Sequence, residues 1–178
     1  MSEQDIAASG AFTSGAFIIA DVFRFALEAG CRQGEAPVAV FERLADQLGG
    51  GAVSFRLTGG VDAEGKPRLK LTVRGRLVLR CQRCLGEMSW DLVVDSALLP
   101  VRAGRALPED ELESDEADAI EVDGGLDVLS LVEDEIILAL PIAPRHEDCG
   151  EARTSGENGG ARRESPFAAL VRLQGDGK

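Results

Sequence analysis

Two residue pairs have the chemistry and spacing of metal ligands: Cys81-x-x-Cys84 and His146-x-x-Cys149. A two-residue spacer on a tight turn lets both side chains of a pair point at one centre. Three thiolates with one imidazole then make a closed tetrahedral set suited to zinc. The spacing leaves three readings open: a structural zinc site, reduced thiols without a ligand, and a redox pair. A redox Cys-x-x-Cys normally opens a helix that lowers the pKa of one thiol. Here residues 81–86 join two predicted strands, so the redox reading ranks last. Cys31 has no partner nearby and is expected to be a partly buried thiol.

A second pattern concerns charge. The net charge is −12, but from Arg56 to Arg83 eight basic residues stand against two acidic ones, while from Glu87 to Glu151 nineteen acidic residues stand against three basic. Arg68, Lys70, Arg74, Arg76 and Arg80 fall at even spacings, hence on one face of a strand. Such a row could follow a phosphate backbone. The alternatives are a solvated face or internal pairing with the acidic half. With one Trp and no Tyr, base stacking is poorly supplied, so any RNA contact is expected to be to backbone. The overall acidity disfavours broad RNA binding by charge alone.

A third candidate is Glu135, which a helical wheel places between Leu131, Val132 and Ala139 inside an apolar stripe. A buried carboxylate needs a partner or a proton. The expectation is a structural pair with an arginine, or a side chain that reaches out at the helix edge. No residue is assigned a catalytic role: there is no Ser-His-Asp set, phosphate loop or HExxH, and the single His146 suits a ligand better than a general base.

The elements that must position these residues follow from periodicity. Asp21 is an N-cap for a helix ending at Gly30, and Val40, Phe41, Leu44 and Leu48 suggest a second helix over 38–48, stopped by Gly49-Gly50-Gly51. The period then becomes two. Val53, Phe55 and Leu57 mark one strand, Leu69 to Leu79 a second, and Met88 to Leu98 a third with Trp90 in the core; Asp62–Gly65 makes the first hairpin turn. Ile120 and Val122 add a short strand. Asp127 caps a helix over 128–140 that Pro141 closes.

At 44% apolar, the chain supports one α+β domain: an antiparallel sheet, or a partly closed barrel, packed by helices near 21–29, 38–48 and 128–140. The domain is expected over 16–149, after a flexible segment 1–15, with an acidic loop at 103–119. A linker over 150–164 and a tail over 165–178 follow; the tail's Pro166–Val171 stretch is amphipathic and able to dock back. The N-terminus lacks a positive region, and Ala16–Ala20 is too short for a signal peptide or a membrane span.

Cys81-Gln-Arg-Cys84, Pro100-Val-Arg102, Val132-Glu-Asp-Glu-Ile-Ile-Leu-Ala-Leu-Pro141 and Ser165-Pro-Phe-Ala168 occur in that order. Together they resemble the YceD family of large ribosomal RNA subunit accumulation proteins, over residues 75–172. The resemblance implies a cytoplasmic protein, bacterial or plastid in type, that supports synthesis, processing or stability of 23S rRNA. It supplies no catalytic residues. The resulting expectation is a non-catalytic accessory factor that binds 23S rRNA, its precursor or ribosomal proteins. The cofactor expectation is at most zinc, with no membrane and no small-molecule substrate. Two alternatives stay open: an RNA-processing nuclease, and an adaptor in large-subunit assembly that binds only protein.

Overall fold

The computed structural model describes residues 17–105 and 117–149. The segment 1–15, most of the acidic loop, the linker 150–164 and the tail 165–178 lie outside the described residues.

In chain order the elements are β1 (Ile18–Ile19), α1 (Val22–Leu27), β2 (Cys31–Pro37), two 3₁₀ turns at Val38–Val40 and Glu42–Leu44, β3 (Leu48–Val61), β4 (Pro67–Arg80), β5 (Glu87–Arg102), β6 (Asp118–Val122), β7 (Leu126–Asp127) and α2 (Val128–Ala139). The fold is α+β. The main sheet is open, not a closed barrel, with strand order β2-β3-β4-β5-β6. Neighbours from β2 to β5 run antiparallel, whereas β6 lies parallel to the end of β5, pairing Leu98 with Asp118 through Arg102 with Val122.

The long strands form because one face is continuously apolar. Val53, Phe55 and Leu57 of β3, Leu69, Leu71, Val73, Leu77 and Leu79 of β4, and Leu92, Val94 and Leu98 of β5 are all buried. Helix α1 covers this face over β3 and β4, and α2 covers it over β5 and β4. Among the described residues, the alternate positions of β3, β4 and β5 on the opposite face are mostly exposed.

Both helices start at side-chain caps. Asp21 accepts from the Arg24 amide at 3.0 Å, and Asp127 accepts from the Leu129 amide at 3.0 Å. The β1–β7 pair ties these two helix starts together, helped by a bond from the Val22 amide to the Gly124 carbonyl at 3.2 Å. The segment 128–140 is the sealing helix, with Val128, Leu131, Val132 and Ile136 buried as expected from their spacing.

The helix expected over 38–48 does not form. Val38, Phe41 and Leu44, buried at 7%, 2% and 0% exposure, recur every three residues, which suits the three-residue turn of a 3₁₀ helix. Phe41 is extended (φ −94°, ψ 98°) and divides the segment into two short turns. The glycines after Leu48 do not end a helix either. They open β3, with a register shift between Leu48 and Gly50. Gly51 has φ +125°, and a Cβ there would sit 2.4 Å from the Arg76 carbonyl oxygen, so only glycine lets the two strands meet at this point.

Strand β2 was not legible in the sequence. Its residues Cys-Arg-Gln-Gly-Glu-Ala-Pro lack apolar alternation because it is an edge strand with only Ala36 buried. Cys31 lies on this strand and is exposed, which corrects the expectation of a partly buried thiol. Trp90 is half-buried and packs against the core.

Candidate metal centre and sheet face

The turn between β4 and β5 folds tightly. The Cys81 amide donates to the Gly86 carbonyl at 2.8 Å, the Leu85 amide donates to the Cys81 carbonyl at 2.9 Å, and Leu85 takes a left-handed conformation (φ 61°). This turn brings the Cys81 and Cys84 sulfurs to one side. The chain leaving α2 after Pro141 runs back along the same turn, held by a bond from the Gln82 amide to the Pro144 carbonyl at 2.8 Å. His146 and Cys149 therefore arrive beside the first pair.

The four candidate ligand atoms lie within 4.8 Å of one another. Cys81 Sγ stands 3.6 Å from Cys149 Sγ, Cys84 Sγ 3.3 Å from His146 Nδ1, and Cys149 Sγ 3.8 Å from the same nitrogen. A tetrahedral zinc site with bonds of about 2.3 Å to sulfur and 2.0–2.1 Å to nitrogen separates its ligand atoms by roughly 3.5–3.8 Å. The cluster has the size and donor set to hold a metal, compatible with zinc.

Its surroundings orient the ligand set and favour charge unevenly: the pKa values of Cys81 and Cys149 are lowered, whereas burial and the neighbouring sulfurs raise that of Cys84. His146 Nε2 lies 3.1 Å from the Glu87 carbonyl, which can only accept, so Nε2 carries the proton and Nδ1 faces the sulfurs. The Cys81 thiol is lowered to about 5, first by the Cys84 backbone N–H and further by that of Arg83. His146 is raised, first by Cys149 and then by Cys81. Arg83 donates from Nε to Cys149 Sγ at 2.9 Å and from its terminal nitrogen to the His146 carbonyl at 3.3 Å. Sequence reading overlooked Arg83 in this role; the available signal was a permanent cation between the two cysteines.

The buried carboxylate of α2 is Glu133, at 8% exposure, not Glu135. Glu133 accepts from the Arg43 amide at 2.7 Å and from Arg43 Nε at 2.8 Å, and Asp134 holds the same guanidinium at 2.6 Å. A single stripe centred on Val132 missed this contact because α2 packs against the 42–44 turn as well as the sheet, which widens its buried arc to Leu129 and Glu133. Glu135 is half-buried and accepts from the Ser96 hydroxyl of β5.

Lys70, Arg74, Arg76 and Arg80 share the exposed sheet face, and the less exposed Arg68 lies on the same face. They do not stand there alone. Lys70 pairs with Asp95 at 3.0 Å, Arg74 reaches the same carboxylate at 4.0 Å, Arg76 pairs with Asp91 at 2.8 Å and Arg68 with Asp62 at 2.8 Å. Arg80 donates to the Leu85 carbonyl. The acidic row comes from β5, whose register sets Asp91 opposite Arg76 and Asp95 opposite Thr72. Arg56 of β3, opposite Thr72 on its other side, extends the basic surface by one strand.

No helix among the described residues is long and apolar enough to cross a membrane. No solved structure matches the chain. The family model for large ribosomal RNA subunit accumulation protein YceD matches residues 69–174, which takes in both ligand pairs, the basic strand from Leu69 onward and α2. Spanning more than half of the chain, this match shows that the protein belongs to the YceD family.

Proposed function

We propose that this chain is a non-catalytic, cytoplasmic accessory factor that supports accumulation of 23S rRNA by binding the RNA, its precursor or ribosomal proteins bound to it. Family membership over residues 69–174 is the observation that carries this reading. Zinc at the Cys81, Cys84, His146 and Cys149 cluster belongs to its scaffold and takes no part in a reaction. Glu135, held by Ser96, acts as a structural residue.

The RNA-facing surface in this reading is the solvent face of β4, carrying Arg68, Lys70, Arg74, Arg76 and Arg80, with Arg56 beside it. The ion pairs on that face do not forbid it. The side chains of Lys70, Arg74 and Arg76 are 62%, 52% and 73% exposed, and pairs this exposed are worth only about 0–1 kcal/mol. A phosphate can replace an aspartate at such a site with little loss. The contact would be to backbone, with the fixed strand spacing setting the register of the cations.

Cells deprived of the chain test the reading. The expected outcome is a fall in 23S relative to 16S rRNA, restored by the wild-type chain. An unchanged ratio would contradict it. Purified chain that cleaved precursor 23S RNA in a divalent-metal-dependent way would favour the nuclease alternative.

A further inference from the structure

We infer that residues 165–173 dock into the groove that the chain leaving α2 forms with the β4–β5 turn, with Phe167, Leu170 and Val171 packed against Ile142. The inference stands apart from the RNA-binding reading, and its test involves no RNA.

The groove follows from a stiff stretch of chain. Proline fixes its own φ and disfavours a helical residue before it, and Leu140 ahead of Pro141 is extended accordingly (φ −60°, ψ 134°). Pro144 restricts Ala143 in the same way. The Gln82 amide then ties the stretch to the turn by donating to the Pro144 carbonyl at 2.8 Å. Ile142, between the two prolines, is left at 101% exposure. Leu140, Pro141, Ile142 and Pro144 line an open cavity of about 240 Å³ together with Leu79 of β4. A single exposed isoleucine is ordinary on a protein surface. This one borders an apolar groove, and the same chain supplies a segment suited to fill it.

Three features single out that occupant. The first is its sequence. Ser165-Pro166 has the cap and first position of a helix start, and Phe167, Leu170 and Val171 follow at helical spacing on one stripe. Glu164 and Arg172 flank that stripe, complementing the Arg80 and Asp46 that also line the groove. The second feature is reach. Cys149 has its sulfur 3.6 Å from that of Cys81, the neighbour in sequence of Gln82 in the groove lining. Residues 150–166 connect Cys149 to Phe167, and a flexible chain of that length spans roughly 20–25 Å. The groove is therefore within reach, at an effective concentration on the order of millimolar. The third feature is the family match over 69–174, which takes in both the stretch from Leu79 to Pro144 and this segment, so the two belong to one family unit.

The test is hydrogen–deuterium exchange of the full chain, read by mass spectrometry on peptides covering the groove and residues 165–173. Amides of 165–173 should exchange roughly tenfold or more slowly than in Phe167→Asp. Ile142→Asp, at a fully exposed position, should release the segment to the same extent while β3 and β4 stay protected, and the double variant should add nothing further. If Ile142→Asp disturbs β3 and β4, Ile142→Ser reads the same contact. The protection should survive dilution of the chain, as an intrachain contact requires. Free exchange of 165–173 in the wild-type chain overturns the docking. Protection that persists in the Ile142 variants places the segment elsewhere and overturns the groove as its site. Protection lost on dilution assigns the groove to the segment of a second copy and overturns the intrachain arrangement.

Discussion

Ile136→Ala is expected to destabilise the protein by about 2–5 kcal/mol, through lost burial and the residual cavity. Ile136 is at 0% exposure at the centre of the face with which α2 seals the sheet. Its neighbours on that face, Val128 and Val132, are equally buried, and the strands beneath cannot collapse into the gap without breaking long antiparallel ladders. A domain of this size has only about 5–15 kcal/mol of stability in total. Each kcal/mol shifts the melting temperature by roughly 2–4 °C at this length. Thermal unfolding of the full chain should therefore show a drop of many degrees, and soluble yield should fall. A loss below about 1 kcal/mol would mean that α2 does not seal the core as the packing implies.

The second large effect is expected on the open sheet face, and it has two signs. Changing Lys70, Arg74 and Arg76 together to Glu should abolish association with 23S rRNA. The new glutamates would also sit beside Asp91 and Asp95, so a native circular dichroism spectrum must accompany the loss. The opposite change avoids that ambiguity. Asp91→Asn with Asp95→Asn frees Lys70, Arg74 and Arg76 from their carboxylates and should strengthen RNA association. Each additional phosphate that these cations neutralise should steepen the fall of log affinity with log salt by about 0.7–0.9. A native circular dichroism spectrum must accompany this gain as well. If both variants fold and bind RNA like the wild type, the face is merely solvated and internally paired.

Much of the frame was legible because its residues obey one physical rule at a time. From Leu69 to Leu79 one face is apolar and the other basic, so strand and facing follow together. Asp127, an apolar stripe and Pro141 likewise bound α2. Reading failed where two rules compete. Val38, Phe41 and Leu44 fit helical spacing, but intervals of three fit a 3₁₀ turn better, and Pro37 leads in from an edge strand. Strand β2 carries little apolar signal because an edge strand buries little. The parallel pairing of β6 with β5 depends on how the chain returns after Arg102, which local pattern does not encode. The two ligand pairs were visible individually, but their meeting depended on the path of residues 141–149 back across the β4–β5 turn. The aspartate partners of the basic row were hidden for a similar reason, since cross-strand register sets Asp91 opposite Arg76.

The most direct measurement is to crosslink the chain to RNA in growing cells, recover it and sequence the bound RNA. Mature or precursor 23S rRNA should be enriched over 16S rRNA and messenger RNA, with crosslinks mapping to peptides of β3 and β4. Ribosomal proteins of the large subunit recovered in the same sample, without direct RNA crosslinks, would place the contact on protein within the same assembly. Recovery of neither 23S rRNA nor large-subunit proteins above background would contradict the proposed role.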